Sequence, residues 1–210
     1  MNFDFFTSNI PNLQKFTAAG LDSQFKMAPY LRLRYNSQKI KELSPKKAAV
    51  LALFYPNFKN ETCFLLTLRA SYQGLHAAQI SFPGGKFDEI DKSLEYTALR
   101  ETHEEVGIPA SSVKIIKEMT QTFIAPSNFL VNPFLGTLDF TPKFIKNSEV
   151  EEIIEVKVSD LLDDSTITTK NLSTSYMKNI DVPCFNLNNY IVWGATAMML
   201  SEIKDLLKLL

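Results

Sequence analysis

The sequence predicts an α+β fold in which helices cover a mixed β-sheet. Short apolar runs bounded by turn-forming residues recur along the chain, and such runs are typical of buried strands. Two longer segments, residues 91–107 and 194–210, carry apolar side chains at helical spacing. The strand and helix segments interleave without strict strand–helix–strand alternation, which favours a mixed sheet over a purely parallel one.

The length and composition are those of one globular domain. The chain has 210 residues, of which 45% are hydrophobic and 21% are charged. We interpret residues 46–210 as the domain and residues 1–45 as an N-terminal extension that packs on it. Within the extension we expect a short helix near Asn12–Ala19 and an extended piece near Tyr30–Tyr35.

The first part of the domain contains three predicted strands. An apolar run, AAVLALFYP, ends at Pro56, and a second run, TCFLLTLRA, begins after a short turn. Two bounded runs in this arrangement predict a β-hairpin. The stretch QISFPGG predicts a short strand that ends in a glycine turn. Further strands are predicted at Val113–Lys117, Thr122–Ile124 and Phe134–Leu138, and in SEVEEIIEVKVSDLLDD, where a helical turn follows the strand. The range Asn186–Trp193 contains a last extended stretch.

The central helix is predicted from its caps and its apolar stripe. Asp91 or Ser93 caps its start, and the sequence leaves both alternatives open. Gly107 and Pro109 end it. The buried stripe comprises Leu94, Ala98, Leu99, Thr102 and Val106. A last helix, GATAMMLSEIKDLLKLL, closes the sequence.

The charge balance and the cysteines limit the classes of function. The formal net charge is −1 and the isoelectric point is about 6.2, so we expect no nucleic-acid partner and no attraction to an acidic membrane. No apolar run reaches the ~18 residues of a membrane span, and the start of the chain lacks the features of a secretory signal peptide. Cys63 and Cys184 lie among apolar residues and are expected to be reduced, buried thiols. These features predict a cytoplasmic protein.

Three glutamates lie within five residues of the predicted central helix. Glu101, Glu104 and Glu105 are separated by offsets that bring side chains onto neighbouring helix surface, where like charges repel. A bound divalent cation would remove this repulsion, and carboxylate oxygens suit Mg²⁺ or Mn²⁺. The competing interpretation is an ordinary solvated acidic face.

Such a cluster suits hydrolysis at phosphorus. Bound ions neutralise diphosphate oxygens and lower the pKa of a bound water, and a free carboxylate accepts the proton of that water. Arg100 stays protonated, so its first expected role is a salt bridge that orients the carboxylates, with substrate contact as the second. We take Glu101, Glu104 and Arg100 as candidate catalytic residues.

The segment GGKFDEIDKSLEYTALRETHEEVGI resembles the signature of the Nudix hydrolases, G-x5-E-x7-R-E-U-x-E-E-x-G-U, where U is a bulky apolar residue. The matching positions are Arg100, Glu101, Glu104, Glu105, Gly107 and Ile108. Thr102 replaces an apolar residue, and the expected glutamate position is Asp91, one residue further from Arg100 than in the pattern. Glu89, Asp91 and Glu95 therefore remain alternative partners of Arg100.

The resemblance implies an α/β/α sandwich and a divalent-metal enzyme. It implies that Glu101, Glu104 and Glu105 carry the metal, and that Gly84 or Gly85 adds a backbone carbonyl. In some members the equivalent of Glu101 is the proposed general base, and in others the base lies elsewhere. A further ligand from the segment EVEE, such as Glu151 or Glu152, is an alternative to a solvated strand edge.

A second stretch, LLTLRASYQGLHAAQISFPGG, resembles the motif L-L-T-x-R-[S/A]-x3-R-x3-G-x3-F-P-G-G of coenzyme A diphosphatases. Gly74 replaces the second arginine of that motif, and Ala78 replaces its glycine. WGATA near the C-terminus and SNFLVNPF also resemble this subfamily. The implied substrate is coenzyme A or one of its thioesters.

Three residues are candidate substrate ligands. Arg69 is a candidate phosphate clamp, because a guanidinium binds phosphate oxygens in pairs, although a surface charge at a strand end is the alternative. His76 and Lys86 are the other candidates. Trp193, Phe129 and Phe134 are interpreted as core residues, and His103 as a surface residue.

Two other functions stay open at this point. A Nudix hydrolase of another nucleoside diphosphate derivative, such as ADP-ribose or a dinucleotide, is the first, and Gly74 keeps it open. A non-catalytic nucleotide sensor is the second, although such a protein is expected to have lost part of the glutamate cluster.

Overall fold

Two β-sheets and several helices make up the structure, a computed structural model that describes residues 1–17, 19–30, 32–70, 79–174 and 177–210. The strands of the larger sheet are β1 (Lys46–Pro56), β2 (Thr62–Arg69), β3 (Ile80–Ser81), β4 (Gly84–Lys86), β5 (Lys114–Glu118), β6 (Thr122–Ile124), β7 (Phe129–Thr137) and β8 (Val150–Lys157). Those of the smaller sheet are β9 (Ile167–Thr174), β10 (Met177–Leu187) and β11 (Tyr190–Trp193).

The larger sheet is mixed, as predicted. Its order is β3–β2–β1–β7–β5, with β4 paired to β1, β6 to β7 and β8 to β2. β1 and β7 run parallel, whereas β1 and β2 form the predicted antiparallel hairpin. β4 pairs with β1 through Gly84 and Val50, which holds the glycine turn against the centre of the sheet.

Helices cover both faces of this sheet. They are α1 (Phe3–Ser8), α2 (Ile10–Lys15), α3 (Leu21–Phe25), α4 (Ser37–Glu42), α5 (Leu94–Val106), α6 (Val158–Leu162) and α7 (Gly194–Leu207), with 3₁₀ turns at Arg32–Arg34, Ala110–Ser112, Ala125–Ser127 and Asp164–Thr166.

The side chains of β1 alternate between two apolar clusters, one on each face of the sheet. Leu51 and Leu53 pack with Ala98 of α5, whereas Ala52 and Phe54 pack with side chains of α1, α2 and α7. A strand places successive side chains on opposite faces, so one apolar run supplies both layers. Burial of each such leucine or phenylalanine stabilises the fold by about 1.5–3 kcal/mol. The α/β/α sandwich is confirmed.

The N-terminal segment differs from its prediction at two places. The helix expected near Asn12–Ala19 is α2, which begins earlier and follows α1. The extended piece expected near Tyr30–Tyr35 is wrong, because a 3₁₀ turn occupies its middle, with the amide of Arg32 donating to the carbonyl of Pro29 at 2.8 Å. Phe3, Phe6 and Leu13 lie in the apolar cluster beneath α7, but the division of the chain at residue 45 stays a prediction.

The C-terminal half contains more strand than predicted. The prediction omits β9 and most of β10. The last extended stretch expected within Asn186–Trp193 is confirmed as β11, which pairs antiparallel with the end of β10. Asn188 and Asn189 form the two-residue turn between them, both with positive φ, which asparagine tolerates better than most residues. β9 has no buried residue, so it offers no apolar run to detect.

Both cysteines are buried and free, as predicted. None of the helices in the described part of the chain has the length and hydropathy of a membrane-crossing segment.

Candidate active site

Helix α5 carries the acidic residues, and its ends are defined by local interactions. Ser93 caps the start by accepting a hydrogen bond from the amide of Tyr96 at 3.1 Å, which settles the cap in favour of this alternative. Gly107 ends the helix with φ of 76°, a left-handed conformation that glycine adopts without strain.

The predicted apolar stripe of α5 is confirmed. Ala98, Thr102 and Val106 are buried, and Leu94 and Leu99 are half-buried and pack at the edge of the stripe. His103 is exposed, as expected.

Asp91 is the partner of Arg100. The guanidinium donates from Nε at 2.8 Å and from Nη2 at 2.9 Å to the two carboxylate oxygens of Asp91. Thr97 Oγ1 donates to the same carboxylate at 2.8 Å, and the amide of Asp88 donates at 3.1 Å. These bonds hold the pKa of the Asp91 carboxyl far below its usual range, with the guanidinium as the main cause. The pair anchors the loop before α5 to the middle of the helix.

The remaining nitrogen of Arg100 holds two of the three glutamates. Nη1 donates to Glu101 Oε1 at 3.0 Å and to Glu104 Oε2 at 3.1 Å. One guanidinium thus spans the buried Asp91 and the acidic edge of the helix. This geometry suits an orienting salt bridge, while a catalytic role for Arg100 stays a prediction.

The glycine turn lies directly against the acidic edge. The amide of Gly84 donates to Glu105 Oε2 at 3.1 Å. Gly84 has φ of 151°, and a Cβ there would overlap the carbonyl oxygen of Ala49. A Cβ on Gly85 would overlap the carboxylate of Glu101. Only glycine at both positions lets the turn approach the two glutamates this closely.

Burial changes the acid–base properties of two glutamates. The side chain of Glu105 is 4% exposed, and burial raises the pKa of its carboxyl to about 7, against the smaller opposing effects of Arg69 and the amide of Gly84. Burial also raises the pKa of Glu101. Glu104 is different, because 52% of its side chain is exposed.

A cavity of about 580 Å³ opens beside these residues. Its lining includes the three glutamates, Gly84, Gly85, Arg69, Lys86, Glu149, Ile124, Ser127, Phe129, Trp193 and Thr196. Arg69 Nη1 lies 3.6 Å from Glu105 Oε1, which brings the two sequence motifs into one site. Lys86 is exposed at the cavity, whereas His76 lies outside the described residues. The roles assigned to these side chains stay predictions.

Several expectations about the cavity need correction. Phe134 is a core residue as expected, but Phe129 and Trp193 line the cavity because β7 begins and β11 ends at its wall. Glu151 and Glu152 are exposed and are not among its lining residues. The segment EVEE reaches the cavity through Glu149, whose Oε2 lies 4.0 Å from Arg69 Nη2. The sequence does not predict this contact, because Glu149 lies just before β8 and the alternation of side chains along a strand does not apply to it.

The donor set fits a hard divalent cation in its chemistry. Three carboxylates share one edge of α5, and the glycine turn lies against Glu101 and Glu105. In the described ranges, no three acidic, histidine or cysteine side chains converge as a ready-made metal cluster. Arg100 and the amide of Gly84 satisfy these carboxylates instead. A cation would therefore have to compete with those hydrogen bonds.

Glu105→Gln is expected to raise the melting temperature of the metal-free protein at pH 8. The carboxyl has an ordinary pKa of 4.5 and a folded pKa of about 7, so its ionisation increasingly opposes folding as the pH rises between these values. The full effect above pH 7 is at most about 3 kcal/mol. Glutamine still accepts the bond from the amide of Gly84. Thermal melts in chelator at several pH values measure the difference.

The pH dependence distinguishes this effect from a general stabilisation. The gain should be largest at pH 8 and disappear below about pH 4.5, where both states bind the proton. Glu95→Gln, on an exposed position of the same helix, is the matched control and should show no such trend. Parallel curves for the two variants would contradict the burial argument.

Comparison with known proteins identifies the family. The sequence profile of the NUDIX domain matches residues 45–173, more than half of the chain. An uncharacterized Nudix hydrolase, NudL, of Yersinia pestis (strain Pestoides F) is 34% identical over 153 residues, which cover 68% of this chain and 71% of that protein. The chain belongs to the NUDIX domain family. It is a hydrolase, and members of this family generally use divalent metal ions.

Solved structures agree on the fold. A Nudix hydrolase from M. smegmatis, RenU, aligns with a TM-score of 0.54 at 15% identity, over 79% of this chain and 88% of that one. A MutT/nudix family protein from Enterococcus faecalis aligns with a TM-score of 0.53 at 13% identity, over 92% of this chain and 76% of that one. At these identities the likeness shows the fold alone.

Proposed function

We propose that this hydrolase cleaves the diphosphate bond of coenzyme A or its thioesters with Mg²⁺ or Mn²⁺. The products are 4′-phosphopantetheine, or its acyl form, and adenosine 3′,5′-bisphosphate. The observation that carries the proposal is the convergence of two motifs in one cavity. Arg69, from the coenzyme A diphosphatase motif, lies 3.6 Å from Glu105 of the acidic helix edge.

The acidic edge would hold the metal. Glu101, Glu104 and Glu105 are the proposed ligands, with a backbone carbonyl from Gly84. When bound, the metal lowers the pKa of a coordinated water and neutralises diphosphate oxygens. Arg100 positions Glu101 and Glu104 through its two hydrogen bonds, so both carboxylates keep a defined orientation before substrate enters.

The other side chains bind the substrate and move the proton. Arg69 and Lys86 contribute positive charge on the cavity wall, where they contact phosphate oxygens. Water attacks one phosphorus of the diphosphate, the bond from that phosphorus to the bridging oxygen breaks, and the bridging oxygen leaves with the other phosphate. Glu101 or Glu104 accepts the proton of the attacking water.

Arg69→Gln is expected to lower kcat/KM for coenzyme A by about tenfold to a hundredfold, mainly through KM, because a charge-assisted contact with phosphate is lost. Lys59→Gln, an exposed charge on the turn between β1 and β2, is the matched control. The assay incubates pure protein with coenzyme A and MgCl₂ or MnCl₂ and separates the nucleotides by chromatography. Absence of adenosine 3′,5′-bisphosphate with either metal would reject the substrate.

One residue of the sequence, Gly74, favours a second candidate class of substrates. Gly74 stands where the coenzyme A diphosphatase motif has an arginine, which removes one cation from that motif. The second class is a nucleoside diphosphate derivative such as ADP-ribose or a dinucleotide. ADP-ribose carries no phosphate besides its diphosphate, so it needs fewer cationic contacts than coenzyme A. A substrate panel ranked by kcat/KM separates the two classes. The sensor alternative is disfavoured, because all three glutamates are present.

We also propose that residues 46–210 form the hydrolase domain and residues 1–45 an extension packed on it. The start of the NUDIX match at residue 45 supports the boundary. The free, buried thiols of Cys63 and Cys184 support a reducing compartment, the cytoplasm.

A further inference from the structure

A second cavity, of about 250 Å³, adjoins the catalytic one. The two share four wall residues, Ile124, Trp193, Gly194 and Ala195. The N-terminal segment lines the second cavity through Pro29 and the 3₁₀ turn at Arg32–Arg34. Trp193 therefore lies between the catalytic cavity and this segment.

Arg32 is a buried cation on the wall of the second cavity. Only 7% of the residue is exposed. Its Nη1 donates to the carbonyl of Tyr35 at 2.9 Å, while its buried Nε has no hydrogen-bond partner in the described part of the chain. The rings of Phe25 and Phe123 lie 5.3 Å and 5.9 Å from the guanidinium carbon. Aromatic neighbours hold the side chain without neutralising it.

No carboxylate offsets this charge among the described residues. The lining of the second cavity includes Arg34 but neither aspartate nor glutamate. Burying a guanidinium without a paired anion is unfavourable, and removal from water makes any anion that reaches it bind more strongly. The second cavity thus has the opposite charge to the acidic edge of α5.

We infer that the second cavity is an anion subsite in which Arg32 and Arg34 bind a phosphate monoester of the substrate, separate from its diphosphate. The planar guanidinium of Arg32 matches two oxygens of a phosphate, and the exposed Arg34 adds charge at the mouth. The inference rests on the proposed function, because coenzyme A carries such a monoester on its ribose. ADP-ribose carries none, so the subsite selects between the two substrate classes.

The test compares coenzyme A with 3′-dephospho-coenzyme A, which lacks only that phosphate. The parent protein is expected to show a kcat/KM at least about tenfold higher for coenzyme A, mainly through a lower KM. Arg32→Gln and Arg34→Gln should bring the ratio of the two kcat/KM values close to one. Lys41→Gln, an exposed charge on α4, is the matched control and should leave the ratio unchanged.

A binding measurement without metal separates the subsite from the chemistry. Adenosine 3′,5′-bisphosphate should bind the parent at least about tenfold more tightly than adenosine 5′-monophosphate by calorimetry, and the difference should disappear in Arg34→Gln. If neither coenzyme A substrate is hydrolysed but this difference persists, the proposed function fails and the subsite stands. Equal binding of the two nucleotides by the parent would overturn the subsite.

Because Arg32 is buried, the folding of Arg32→Gln is measured separately by thermal unfolding. If Arg32→Gln loses its cooperative thermal transition, Arg32→Lys replaces it, since lysine keeps the charge but not the paired geometry. Arg32→Lys should show an intermediate ratio. A ratio equal to that of the parent in both Arg32→Lys and Arg34→Gln would contradict the assignment.

Discussion

Glu104→Gln is expected to reduce kcat by about a thousandfold while leaving the melting temperature within about 1 °C of the parent. The side chain of Glu104 is 52% exposed and accepts a hydrogen bond from Arg100 at 3.1 Å. The side-chain oxygen of a glutamine can accept the same bond. The fold therefore loses little. The site loses one negative charge and one acceptor of protons, which matter only during hydrolysis. Saturation kinetics with coenzyme A and a thermal melt measure the two quantities.

Glu95→Gln makes the same chemical change on the same helix and is the control. Its side chain is exposed near the start of α5 and does not line the cavity. We expect parental kcat for this variant at every metal concentration. Parental turnover by Glu104→Gln would instead place the chemistry outside the acidic edge of the helix.

Asp91→Ala is expected to destabilise the protein by about 3 kcal/mol and to abolish most of the activity. The carboxylate is buried and accepts from Arg100, Thr97 and the amide of Asp88. Without it, the guanidinium keeps its charge but loses its buried partner, and Glu101 and Glu104 lose their fixed orientation. For a chain of this size the change corresponds to a melting temperature about 6–12 °C lower.

Glu89→Ala removes an exposed carboxylate from the same loop and is the control. It should leave stability and turnover unchanged.

The stabilisation by Asp91 depends on pH. Because the folded pKa of Asp91 lies below its ordinary value of 3.8, the carboxylate contributes its full stabilisation above pH 3.8, and this stabilisation is lost as the pH falls further. Urea titrations should therefore separate Asp91→Ala from the parent clearly at pH 7 and less at pH 3. A difference that does not shrink on acidification would contradict the ion-pair argument.

The strands with apolar runs were predictable, and those without were not. β1 and β2 have long runs of buried side chains, which local hydrophobicity reveals. β9 consists of exposed and half-buried residues, and its pairing with β10 gives it strand conformation. In such a strand the hydrogen bonds to a neighbour decide the structure, and no short-range pattern records them.

The partner of Arg100 in the site also could not be predicted from the local sequence. The spacing left Glu89, Asp91 and Glu95 as alternatives, because the length of a loop does not determine its path. Packing of the loop on α5 buries Asp91 beside Thr97 and leaves the other two exposed. Glu149, just before β8, and Trp193, at the end of β11, reach the cavity from segments far along the chain, so the motifs that contain them do not show that they lie beside the acidic edge.

The sequence by itself determined the acidic edge. Offsets of three and four residues on one helix set the relative positions of Glu101, Glu104 and Glu105 whatever the helix packs against. Only the tertiary structure decided what faces that edge: the glycine turn, Arg69, and beyond Trp193 the buried Arg32. Helical geometry acts over a few residues, whereas the walls of a cavity come from segments brought together by burial of the two apolar clusters.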